Sequence, residues 1–168
     1  GAVAGASTGF LGVYIVGMRM PFIGTCISHA AMAGTVLSYL VGISPAAGAI
    51  LLSVLCAMPL TAIAPDRSRL DTNVGLGIVF SLMLGLTFLG IGFVDGSRSE
   101  ILGLLWGNIL FVDSGAFAAV VAIAAVLVLF SWVFNKEMKA LLFSRSIASA
   151  TGIHERFVYG LFLALCGI

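Results

Sequence analysis

One imidazole sits where ionisable groups are rarely kept. His29 lies within Met18 to Leu40, MRMPFIGTCISHAAMAGTVLSYL, a stretch whose single formal charge is Arg19. An ionisable side chain at membrane depth is expensive, and such residues face a bundle interior or a water-filled path. Thr25 and Cys26 stand four and three positions before His29, Ser28 immediately before it, and Met32 three positions after. On a helix the 25/26/29/32 set shares one face, which gathers a hydroxyl, a thiol, an imidazole and a thioether. Those donors suit a soft or borderline metal ion, so His29, Cys26 and Thr25 are the candidate metal ligands. The same residue types also serve as hydrogen-bonding glue between membrane helices, and spacing alone leaves both readings open.

The elements that must position this face follow from composition. Of 168 residues 61% are hydrophobic and 9% charged, and mean hydropathy is +1.19. A soluble domain carries about 25% charged residues, so the expectation is an all-α, polytopic membrane helix bundle forming one domain over residues 1–168. The 21 glycines fit close packing of membrane helices. A net charge of +1 without a basic cluster gives no footing for nucleic acid. The cysteines, Cys26, Cys56 and Cys166, all lie in apolar runs, and no disulfide framework follows from them.

Along the chain, apolar runs at Gly1–Gly17, Phe22–Val41, Ala46–Ala64, Val74–Val94 and Gly115–Phe134 read as five spans, and a sixth begins near Phe157 and runs to Ile168. Arg19 and Pro21 separate the first two, and Gly42 to Pro45 ends the second. Pro59 is expected to kink the third run or to sit where a neighbouring helix repairs the lost bond. Ile101–Val112 is too short to span, since about 20 residues are needed; it reads as a re-entrant or interfacial helix carrying Asn108, which would line a vestibule or satisfy backbone there. The first apolar run lacks a charged n-region or cleavage site and so is not expected to be a signal peptide, and both ends of the chain are expected to be cut within helices.

Charge then sets orientation. With the 19–21, 65–73 and 135–156 loops on one side, Arg19, Arg67, Arg69, Lys136, Lys139, Arg145 and Arg156 share it, and Arg98 falls opposite. By the positive-inside rule that side is cytoplasmic. The expected location is a prokaryotic inner membrane.

Beyond these readings, four segments in order resemble one family. Arg19 followed by Ser28-His29-Ala30 and Gly34 resembles the R…S-H-A…G stretch of the metal-chelate class of ABC transporter permeases, the membrane subunits of bacterial zinc, manganese and iron importers. Asp71-Thr72 with Gly75 to Phe80 is similar to that family's D-T-x-x-G-I segment, and Gly107-Asn108-Ile109-Leu110 to its G-[DN]-I-L motif. Ser144 to Ile153, with Ala148 and Gly152, resembles its cytoplasmic D-x-x-x-A-x-x-x-G stretch. The resemblance implies a permease that pairs with a second permease copy, docks a cytoplasmic ATP-binding subunit and receives metal from an extracytoplasmic metal-binding protein. It implies no permanently bound cofactor; the divalent metal ion is cargo. It also implies that Ala148 and Gly152 let a short coupling helix seat on the ATPase, and that further helices follow Ile168.

Two positions depart from the pattern. Thr25 stands where the family usually has Asp, so no carboxylate offsets the charge of a divalent ion beside His29. A weak transit site suits a conducting path, which needs binding good enough to enter and poor enough to leave. Ser144 replaces another Asp and can N-cap a helix as well. The sequence has no G-x-x-x-x-G-K-[ST] loop, so ATP hydrolysis would belong to a separate chain and this one is not expected to be an enzyme. An intramembrane protease would need a nucleophile–base pair, but Ser28 and His29 point about 100° apart on a helix. The alternatives kept open are an ATP-independent secondary transporter or channel, and a corrinoid- or siderophore-type permease.

Overall fold

The computed structural model describes residues 1–62, 72–93, 103, 114–144, 148 and 154–167, excluding the side chains of residues 59–62, 72 and 116. Among the described residues there are seven helices and no strand: α1 (Ala2–Gly17), α2 (Ile23–Val41), α3 (Pro45–Ala62), α4 (Thr72–Phe93), α5 (Ser114–Val133), α6 (Asn135–Phe143) and α7 (Glu155–Cys166). The all-helical expectation is met, with boundaries within about two residues of those read from hydropathy.

The count of six spans needs correction. Among the described residues, Ile23–Val41 and Asn73–Phe93 are long and apolar enough to cross a membrane alone; a third span results if Phe117–Val133 and Asn135–Phe143, bent by 77°, are taken together. At 1.5 Å per residue, the described 16 residues of α1 and 12 of α7 rise roughly 24 and 18 Å, so these stretches by themselves cover only part of a hydrocarbon core of about 30 Å. The Ile101–Val112 segment lies outside the described residues, save Gly103, which is helical and exposed. Helix α3 runs on past Pro59 to Ala62.

Local chemistry sets the α2–α3 turn. Gly42 adopts the left-handed conformation, φ 77°, and its amide and that of Ile43 both donate to the Ser38 carbonyl at 2.9 and 3.1 Å. Glycine takes that conformation without the Cβ penalty and so ends helices in this way. Ser44 then caps α3 by accepting the Ala47 N–H at 3.3 Å, and Pro45 fills the first helical position, where no amide is needed.

Along the second half of α2, packing places small residues inside, while several large side chains of α4 and α5 face outward. Ala30, Ala33, Gly34 and Ser38 of α2 are buried, while Phe88 and Phe93 of α4 and Trp132 of α5 are among the exposed side chains. Where Gly34 meets Gly48 of α3, a Cβ on either residue would collide with the other's carbonyl oxygen. The two backbones are in contact, the close approach that small residues permit between membrane helices. Helix α4 runs parallel to α2: Asn73 Nδ2 donates to the Arg19 carbonyl at 3.3 Å, Phe80 lies beside His29, and Gly90 abuts Val36.

Several connections, two of them hydrogen bonds, gather at one end of the bundle. Asn73 reaches the Arg19 turn, Gly17 lies against Leu142 of α6, and the Tyr159 hydroxyl of α7 donates to Met20 Sδ at 2.8 Å. The 19–21 turn, the start of α4, α6 and the start of α7 therefore share a side. Arg19 itself takes φ 60°, a left-handed conformation uncommon outside glycine, and its carbonyl is the one Asn73 holds.

Candidate functional site

Helix α2 carries the site, because it packs between α3 and α4 and its faces are thereby assigned. Positions 26, 30, 33 and 34 turn inward and are buried; Thr25 and Ser28 are exposed, and His29 is half-buried at the edge between the two regions. The four-residue set predicted to share one face is thus divided. Thr25 and His29 stand together one turn apart, Met32 is half-buried, and Cys26, 1% exposed, faces the core.

The imidazole is fixed from two directions. Its Nδ1 lies 2.9 Å from the Thr25 carbonyl. A carbonyl can only accept, so Nδ1 carries the proton, and in the neutral ring Nε2 holds the free lone pair. A hydrogen bond from one ring nitrogen to a backbone carbonyl is the usual way an imidazole is oriented for metal binding. On its other side the ring meets Phe80 of α4 edge-on, with centroids 4.6 Å apart and an interplanar angle of 71°; Phe22 packs on Phe80 in the same manner at 5.3 Å.

The neighbouring donors are less available. Ser28 Oγ turns back to the Gly24 carbonyl at 2.7 Å. Cys26 lies in the core with Ile23 and Ile27, and Cys56 of α3, also buried, lies 3.5 Å from Met83 Sδ of α4. Antiparallel register through Gly34 and Gly48 brings Cys26 and Cys56 to the same level, so these sulfurs fill the seam between α2, α3 and α4. Among the described residues no group of three His, Cys, Asp or Glu side chains is placed to hold a metal ion. What this chain offers outward is one oriented imidazole with the exposed Thr25 beside it. An ion there completes its shell with water or with groups from elsewhere.

The remaining predicted positions separate. Ala148 is fully buried, in the cluster that includes Met20, Met138 and Tyr159, and its amide donates to the Ser144 carbonyl at 3.0 Å. Gly152, Asn108 and Asp71 lie outside the described residues. Sequence reasoning missed Phe80 as the wall of the imidazole and Gly48 as the partner of Gly34. A glycine in each of two successive apolar runs was the available signal for the second; the first had none.

The family model described as the ABC 3 transport family matches residues 1–168. The chain is 29% identical over 155 residues to the "Manganese transport system membrane protein MntC" of Listeria innocua, covering 92% of this chain and 55% of that protein. It is 29% identical over 163 residues to the "Manganese import system permease protein ScaB" of Streptococcus gordonii, covering 97% and 58%. Among solved structures it is similar to PsaBC from Streptococcus pneumoniae in complex with Fab, with TM-score 0.77 and 28% identity, covering 98% of this chain and 59% of that one. The chain spans a little over half the length of these relatives.

Proposed function

The chain belongs to the ABC 3 transport family, and from that premise we propose that it is the membrane-embedded part of a permease subunit in an ATP-driven importer of divalent transition-metal ions. Manganese is the leading cargo, because the relatives' names specify it; zinc and iron are its competitors. The permease works with a cytoplasmic ATP-binding subunit, an extracytoplasmic metal-binding protein and a second permease copy. The end carrying Arg19, Lys136, Lys139 and Arg156 faces the cytoplasm, the excess of cations setting that orientation.

The observation that carries the reading is the imidazole of His29. Its Nδ1–H is committed to the Thr25 carbonyl at 2.9 Å, which leaves Nε2 as a metal donor at the edge of α2. A neutral nitrogen ligand suits a borderline divalent ion. With Thr25 in place of a carboxylate, a passing ion keeps most of its water and is held weakly, as rapid transfer requires. Ala148, buried beside Met20, Met138 and Tyr159, ties the cytoplasmic stretch to the bundle, and Ala148 and Gly152 are the residues we assign to coupling with the ATPase.

The test uses the full-length permease assembled with its ATPase. His29→Ala is expected to reduce radiolabelled manganese uptake sharply while the complex still assembles. Unchanged uptake would show that the imidazole is helix-packing glue.

A further inference from the structure

The outward face of α5 is shaped. Val121, Ala125, Val128 and Trp132 recur at helical spacing and, with Val3 of α1, line an open apolar groove of about 550 Å³. From Val121 to Trp132 the helix rises about 16 Å, the depth of one leaflet of a hydrocarbon core about 30 Å thick. Just beyond Trp132 the chain turns by 77° into α6.

Helix α6 is amphipathic across that turn. Met138 and Leu141 are buried against the bundle, whereas Lys136, Lys139 and Phe143 are exposed at i, i+3 and i+7. Trp132 and Phe143 are 77% and 88% exposed. Glu137, half-buried, is the acid on this helix. The surface thus combines an apolar slot one leaflet deep, an indole at its end, and a transverse helix presenting two cations and a phenyl ring. Indoles favour the headgroup level, and amphipathic helices with Lys on the polar face lie in the interface.

We infer that this surface holds an anionic phospholipid. An acyl chain occupies the α5 groove, and the headgroup phosphate lies against Lys136 and Lys139. The two cations select charge; the groove selects only an apolar chain. This inference stands apart from the metal reading, since it uses none of the residues around His29.

The experiment uses the full-length permease with its ATPase, reconstituted in a mixture of phosphatidylglycerol and phosphatidylcholine, with retained lipid read by native mass spectrometry. Phosphatidylglycerol is expected to be retained preferentially. Lysines near an anionic headgroup each strengthen retention about fivefold, so the Lys136→Gln/Lys139→Gln double variant is expected to lose roughly 25-fold in phosphatidylglycerol retention, with phosphatidylcholine unchanged. Ala125→Trp, which fills the groove, is expected to lower retention of both lipids. Equal retention of the two lipids, or an unaltered preference in the double variant, overturns the inference. So does loss of the ATPase or of a second permease copy from the double variant without loss of lipid, which would assign the surface to a protein partner. The lysines are exposed, so that variant carries the test even if the tryptophan variant fails to fold.

Discussion

Adding one methyl group at Gly48 tests how α2 is held. A Cβ there would stand 2.5 Å from the Gly34 carbonyl oxygen and 2.7 Å from Ser38 Cβ, where ordinary contact begins at 3.4 Å. Neither neighbour is the end of a flexible side chain, so the helices themselves must part. Overpacking of this kind costs about 1–3 kcal/mol, and replacing glycine by alanine within a helix returns only about 0.5–1 kcal/mol. Gly48→Ala should therefore destabilise. Gly85→Ala in α4 is the matched control: its new Cβ meets nothing within 4 Å, so the same change should be neutral or stabilising by up to about 1 kcal/mol. Thermal unfolding of the purified full-length permease reads the pair. At roughly 2 °C per kcal/mol for a protein longer than this chain, the two variants should fall on opposite sides of wild type, separated by a few degrees. If Gly48→Ala melts with Gly85→Ala, the backbones are not in contact and the placement of His29 loses its basis.

Two further outcomes follow from the site and the core. Thr25→Asp sets a carboxylate one turn before His29, so it should tighten manganese retention in equilibrium dialysis and slow turnover; unchanged retention would mean that ions do not dwell at this turn. Ser53 Oγ is fully buried without a hydrogen-bond partner among the described residues, and an unsatisfied buried hydroxyl costs about 1–3 kcal/mol. Ser53→Ala should accordingly raise the melting temperature of the full-length permease, and a fall would reveal a partner contributed by another part of the assembly.

The helices were legible because the bilayer leaves few choices. A charge-free run bounded by Arg19 and the Gly42–Pro45 turn must be helical to satisfy its own backbone, and α2 begins and ends where that argument put it. Crossing was less legible: hydropathy marks residues that tolerate lipid, whereas spanning also demands length, which among the described residues α2 and α4 show on their own. The histidine stood out because its cost demands a reason. Its surroundings did not, since which side of α2 meets α3 depends on the Gly34–Gly48 contact between separate helices. That contact buries Cys26 and leaves Thr25 exposed, a division that spacing along one helix cannot express.

The two seams flanking α2 differ in kind. Against α3 it is backbone on backbone at Gly34 and Gly48, which leaves no clearance at that level, so these helices are expected to move together as one strut. Against α4 the contacts run through side-chain ends, Val36 against Gly90 and the rings of His29 and Phe80, and rotamers can accommodate a small shear there. The imidazole is mounted on the yielding joint, so a shift of the strut along α4 changes what its free nitrogen faces.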